Sequence, residues 1–282
     1  MTNTPPPLLL VDGHNLLWRA AFGFPAEILS RDKTRDLTAV FGFFALLRVA
    51  IRDEFYDPPE VLVVFDGEHG SDDRKQDDAD YKANRPADDD ALKPILALPH
   101  VKQGLDLHQV AWIEIEDAEA DDVIATLVHL DPQRPTRIFS TDRDYYQLLT
   151  DQVHVLNTCM HPGKRHIGPA QVSERYGIIP AQWASFRALS GDKSDNIPGV
   201  TGIGDKTAAR LLADGAQVQD LPGSEQLTGR AGERVRAQWE QVLIWHRMIT
   251  MDTAVALPAK PSGNPSPLLP APAAVVEELG LW

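Results

Sequence analysis

Residues 8–12 read LLLVD, an apolar run that stops at a carboxylate. Four further short runs follow the same pattern: VLVVF at 61–65, VAWI at 110–113, RIFST at 137–141 and VHVL at 153–156. Runs that are mostly apolar without alternation suit strands covered on both faces. Between them apolar residues recur at helical spacing, as in Leu37, Val40, Phe41, Phe44 and Leu47, then Val123, Ile124, Leu127 and Val128. Strand, helix and strand in alternation imply parallel βα units, so the expected fold class is α/β, a mostly parallel central sheet wrapped by helices. The expected organisation is an α/β core over 1–170, interrupted by a polar excursion at 67–94, then a helical region over 171–256. A Pro-rich C-terminal tail with a short helix closes the chain at 257–282. Its residues are compatible both with wrapping the core and with tethering another protein.

The 282 residues are 43% hydrophobic and 24% charged, an ordinary globular composition. No apolar run approaches the roughly eighteen residues of a membrane-spanning helix, so a cytoplasmic monomer with no membrane partner is expected. Cys159 is the single cysteine, which excludes an internal disulfide and a CxxC zinc site; any metal chemistry must use oxygen ligands. The net charge of −14 runs against nucleic-acid binding, which rests on clustered Lys and Arg, unless carboxylates gathered around cations account for it.

The carboxylates are not scattered. Asp12 follows the first run, Asp66 the second, and Asp142 and Asp144 the fourth, so acids recur at the carboxyl ends of expected parallel strands, where open α/β sheets put their sites. The third run leads into EADDVIATL at 119–127, adding Glu119, Asp121 and Asp122, and GDKSDN at 191–196 adds Asp192 and Asp195. In one cleft these nine would repel one another by several kcal/mol per close pair, about 4 kcal/mol at 4 Å and an effective dielectric near 20. Bound cations relieve that repulsion. All-oxygen ligation selects Mg²⁺, with Mn²⁺ as substitute, and two such ions about 4 Å apart activate water and stabilise the leaving oxygen in phosphodiester hydrolysis. A lone DxD is more often a cap or a turn; the recurrence at successive strand ends carries the weight.

Taken in order, VDGHNLLWRA, VVFDGE, YKANRP, EADDVIATL, STDRDYYQLL and ALSGDKSDNIPGVTGIGDKTAARLL resemble the 5′ nuclease family, which comprises flap endonucleases and the 5′→3′ exonuclease domain of bacterial DNA polymerase I. The resemblance runs from about residue 8 to 255. It implies a PIN-like core with a helical arch and a helix-hairpin-helix, in a stand-alone bacterial member. The implied activity is Mg²⁺-dependent 5′→3′ exonuclease and structure-specific endonuclease on DNA with a 5′ flap, nick or overhang, in replication and repair at the nucleoid. It assigns Asp12, Asp66, Glu119 and Asp121 to a first metal group and Asp122, Asp142, Asp144, Asp192 and Asp195 to a second. Tyr81, Lys82 and Arg85 of the arch become catalytic candidates, Tyr81 by stacking on a base and the cations by neutralising the scissile phosphate. Arg74 and the hairpin residues Gly202, Gly204 and Lys206 become DNA-binding candidates, the glycines letting backbone approach a phosphate, and the hairpin is further implied to take a K⁺ ion. The chain departs from the family pattern in an unusually acidic arch, with Asp72, Asp73, Asp77, Asp78, Asp80 and Asp88 to Asp90. The alternative is a DNA-junction-binding module of the same fold with little turnover. His14 and Trp18 read as packing or hydrogen-bonding residues and not as catalytic ones.

Overall fold

A computed structural model describes residues 4–83 and 92–282. Six strands form one sheet: β1 (Leu8–Asp12), β2 (Glu60–Phe65), β3 (Ala111–Glu114), β4 (Thr136–Phe139), β5 (Val153–Leu156) and β6 (His166–Ile167). Their order is β3-β2-β1-β4-β5-β6, parallel throughout except for the antiparallel β5–β6 pair. The five expected strands are present, with Ser140 and Thr141 outside β4; the two-residue β6 is an addition. The chain builds outward from β1 to β3, then crosses back to β4 on the other side of β1. The β1–β4 seam is therefore the switch point of the sheet, where the connections diverge and leave a crevice at the carboxyl ends.

The helices, in chain order, are α1 (Gly13–Gly23), α2 (Thr38–Glu54), α3 (Asp72–Asp77), α4 (Leu92–Leu107), α5 (Ala120–Leu130), α6 (Pro169–Tyr176), α7 (Trp183–Ser190), α8 (Asp205–Leu211), α9 (Gly229–Ala237), α10 (Trp239–Ile249) and α11 (Pro272–Glu278). Side chains alternate across the pleat. Leu8, Leu10, Leu62, Val64, Ile138 and Val155 face a core shared with α5 and continuing without a break into α7, α8 and α10. Leu9, Val11, Val63, Phe65 and Phe139 face the opposite core, filled by α1, α2, α4 and α11.

The Pro-rich segment wraps the core. Glu60, buried at the start of β2, accepts from the amide of Gly263 (3.0 Å), the hydroxyl of Ser262 (2.8 Å) and the buried Arg134 (2.8 Å). Ser266 continues the attachment, its amide donating to the Pro59 carbonyl (3.0 Å) and its hydroxyl accepting from the Val61 amide (2.8 Å). Leu269, Val275, Val276 and Leu281 then complete the second core.

Glu60→Ala leaves Arg134 buried without a counter-charge and should cost about 3–5 kcal/mol in urea unfolding. Arg247→Ala, which breaks the exposed pair with Asp77, should leave the midpoint nearly unchanged. Burial opposes the charge on Glu60, but Arg134 and the Ser262 and Gly263 donors more than offset it, so its pKa lies below the ordinary value. A depressed folded pKa gives stabilisation that is full above the unfolded value of about 4.3 and lost as pH falls through the folded value. Acid should therefore unfold the wild type along a steeper profile than Glu60→Gln in that range.

Candidate active site at the carboxyl edge of the sheet

Asp12, Asp66, Asp121 and Asp142 line one cavity of about 330 Å³ beyond the carboxyl ends of β1, β2 and β4, together with His14, Asn15, Trp18 and Lys82. Each acid is set by local structure. Asp12 ends β1 and caps α1, accepting from the Asn15 amide (3.0 Å); across the switch point its other oxygen accepts from the Ser140 hydroxyl (2.9 Å) and, longer, from Tyr145 (3.3 Å). Asp66 follows β2 and accepts from the Ala120 amide at the start of α5 (2.7 Å). That approach requires Gly67 beside it: a Cβ there would lie 1.9 Å from the Ile115 carbonyl oxygen. The loop after β4 is held by Asn15, which donates to the Thr141 hydroxyl (2.9 Å) and accepts from the Thr141 amide (3.1 Å), while the Asp142 amide donates to Ser140 (3.0 Å).

The electrostatics follow from this crowding. Burial, then the neighbouring charges of Asp66 and Asp142, push Asp12 up to about 7 against the hydrogen bonds of Asn15 and Ser140. Asp121 is raised well above its ordinary value by burial and by Asp142 and Asp12. Asp144, behind Asp142, is raised likewise by burial and by Asp142, Asp195 and Asp192, even though Trp183 donates to it (3.0 Å). Lys82 is the cationic side chain on the cavity wall. Burial disfavours its charge, but the Tyr81 oxygen and the Glu119 and Asp195 carboxylates more than offset that, so its pKa is raised. An excess of buried carboxylate oxygens over positive charge fits a hard divalent cation. Among the described residues, no three acidic, His or Cys side chains are grouped closely enough to hold a metal ion by themselves.

Other acids are engaged elsewhere. Glu119 is buried and receives Arg74, Lys82 (2.8 Å) and Tyr81 (3.3 Å). Asp122 lines a different cavity, accepting from Arg74 (2.8 Å) and the Asp252 amide (2.8 Å). Asp192 is buried after α7; burial opposes its charge, but Ser194 and Arg187 more than offset this and hold it below its ordinary pKa. Its neighbour Asp195 meets the arch through its carbonyl, which accepts from the Lys82 amide (3.1 Å). The nine acids thus form a cleft of four, with Asp144 behind it, and a surrounding set in which Glu119, Asp122 and Asp192 are held by Arg and Lys.

Two arch residues differ from expectation. Tyr81 is 4% exposed within the first core, so its ring offers no stacking face to a base. Arg74, with a side chain 13% exposed, joins Glu119 and Asp122 to the Met248 carbonyl (2.9 Å) and stands inside the protein, not on its surface. Arg85 and Asp88 to Asp90 lie outside the described residues. In the hairpin, Gly202 adopts φ +76°, Gly204 has open space where a Cβ would sit, and Lys206 is exposed on α8. His14 and Trp18, read as packing or hydrogen-bonding residues, stand on the cleft wall, and Trp18 stacks on the exposed Phe22 (5.2 Å). His14 Nδ1 lies 3.0 Å from the Asp66 amide, from which it accepts, and 3.3 Å from the Asp66 carboxylate. Asn15 and Ser140 were the residues missed altogether; their signal is a short polar side chain next to an acid at a strand end.

Residues 7–177 match the family model described as the 5′-3′ exonuclease N-terminal resolvase-like domain, and residues 178–265 that of the 5′-3′ exonuclease C-terminal SAM fold. The chain belongs to the 5′-3′ exonuclease family. Within it, the chain is 40% identical over 216 residues to the thermostable DNA polymerase I of Thermus aquaticus, covering 76% of this chain and 24% of that protein. It is 34% identical over 268 residues to DNA polymerase I of Bacillus subtilis (strain 168), covering 91% and 29%. This exonuclease-family chain therefore spans about a quarter of the length of those relatives. Its fold matches that of a bacteriophage T5 flap endonuclease solved as a pseudo-enzyme-product complex with DNA and metal ions, with a TM-score of 0.67 at 22% identity over 86% of this chain and 88% of that one.

Asp142→Asn removes one like charge from the crowded cleft. In EDTA it should raise stability by about 1–4 kcal/mol. Added Mg²⁺ should raise the unfolding temperature of the wild type more than that of the variant, read by differential scanning calorimetry.

Proposed function

We propose that this chain is a divalent-metal-dependent 5′→3′ exonuclease and structure-specific endonuclease, hydrolysing phosphodiester bonds near the 5′ ends of DNA that carries a flap, a nick or an overhang. The observation that carries the reading is the grouping of Asp12, Asp66, Asp121 and Asp142 on one cavity at the switch point, where burial with Asp66 and Asp142 raises the cost of ionising Asp12, and burial with Asp142 and Asp12 that of Asp121. These four, with Asp144 behind, are the side chains that would hold Mg²⁺, or Mn²⁺ in its place. When bound, such ions supply Lewis-acid activation of water and stabilisation of the leaving oxygen.

The chain's own residues do the rest. Asn15 and Ser140 fix the two sides of the seam, so Asp12 and Asp142 keep their separation as DNA enters. Lys82 faces the same cavity and offers positive charge to a phosphate arriving there. Gly202, Gly204 and Lys206 would hold duplex away from the cut. We assign the core to 1–170, the helical DNA-gripping region to 171–256 and the wrapping tail to 257–282, and expect a monomer acting at the nucleoid. Among the described residues no helix is long and apolar enough to cross a membrane.

A second reading, a junction-binding module with little turnover, draws support from the engagement of Glu119, Asp122 and Asp192 by Arg and Lys. A labelled 5′-flap oligonucleotide assayed in Mg²⁺, Mn²⁺ and EDTA separates the two. Cleavage is expected with either metal and none in EDTA, and Asp121→Asn should cut at least about a hundredfold more slowly while binding as the wild type does. Wild type and variant binding alike with neither cutting would establish the binding module instead.

A further inference from the structure

At a net charge of −14, contact with a phosphate backbone depends on where cations without carboxylate partners are exposed, and three cations at or beside the arch are already paired. Arg74 is held by Glu119 and Asp122, Lys82 by Glu119, and Arg247, which pairs with the arch base, by Asp77. The hairpin side of the molecule is different. Lys206 on α8 and Arg230 and Arg234 on α9 are exposed, and among the described residues none of them has a carboxylate in ion-pairing range. Arg230 and Arg234 are four residues apart and share one face of α9.

Arg234 also touches the hairpin itself. Its Nη1 donates to the Gly202 carbonyl (3.3 Å), and a Cβ on Gly202 would lie 2.1 Å from the same nitrogen, so at its φ of +76° this glycine leaves the space the guanidinium fills. One turn further along, Gln238 accepts from the Thr201 amide (3.0 Å). The hairpin is thus fastened to the 234–238 segment at two consecutive residues. A guanidinium carries five N–H donors in a plane; one meets the carbonyl and others remain to meet phosphate oxygens. A K⁺ ion on the same carbonyl would stand against a like charge at close range.

We propose that Arg234 takes the place of a monovalent cation at this hairpin, so that a side chain of the protein, with Arg230 one turn away and Lys206 beyond the glycine, bridges the hairpin backbone to a duplex phosphate. The inference rests on the DNA-binding reading above and names the group that performs the binding.

The test measures binding of a fluorescent 5′-flap duplex by anisotropy in Ca²⁺, and KM and kcat for its cleavage in Mg²⁺. Both are read in KCl and in tetraethylammonium chloride at equal ionic strength. The wild type should show the same Kd and KM in both salts to within about twofold. Arg234→Gln should weaken Kd and raise KM by about fivefold or more with kcat little changed, and Arg234→Lys should recover most of the loss. Arg230→Gln, remote from the hairpin carbonyl, should lower the slope of log Kd against log salt by about one, and serves if Arg234→Gln fails to fold. A wild type that loses affinity when K⁺ is replaced overturns the proposal, as does an Arg234→Gln variant that binds and cuts like the wild type. A wild type that neither binds nor cuts the flap overturns the DNA reading itself, and the proposal with it.

Discussion

Mutual repulsion among carboxylates at the β1–β4 seam is the constraint around which the rest of the molecule is arranged. Parallel strands deliver Asp12, Asp66 and Asp142 to the same edge because each acid lies at or just past the end of its strand. Two buried cores hold that edge in place, one on each face of the sheet. Stability favours separating like charges or neutralising them; this fold does neither for the four acids on the cavity. Burial raises Asp12 and Asp121 and leaves the cleft prepared for an external cation, which is the behaviour of a functional site and not of a core.

The neutralisation inside the protein has been directed around the cleft instead. Arg74 ties the base of the arch to Glu119 and Asp122 by ion pairs and to the Met248 carbonyl of the helical region by a hydrogen bond, while Arg187 pairs with Asp192 within the helical region. This commits Arg74 and Arg187 to carboxylates and leaves the positive charge presented to DNA to other side chains. One group of such cations lies on α8 and α9, at the hairpin, where exposed cations have no carboxylate partners among the described residues. Local field, not net charge, decides where an anionic polymer docks.

Much of the fold was legible because five apolar runs were long enough to commit to strands and their acids fell at strand ends. The two residues of β6 are too short to leave a periodic signal and exist only through pairing with β5. Tyr81 sits in a polar stretch that argues for exposure; it is buried by contacts with Glu119, 38 residues away, which no local pattern reveals. Trp18 and His14 were legible in principle. They lie four apart on the helix that Asp12 caps, which puts them on one face beside the carboxylate, and a helix opening directly from a strand-end acid presents its first turns to the site. The tail was ambiguous because proline spacing alone suits linker and strap alike, and the buried Leu269, Val275, Val276 and Leu281 distinguish them only once a surface exists to receive them.

The most direct test of the account is a crystal structure of the chain with Mn²⁺, read by anomalous scattering. It predicts density for the metal in the cavity bounded by Asp12, Asp66, Asp121 and Asp142. Well-ordered crystals at saturating Mn²⁺ with no anomalous peak there, and the four carboxylates protonated or turned apart, would contradict it.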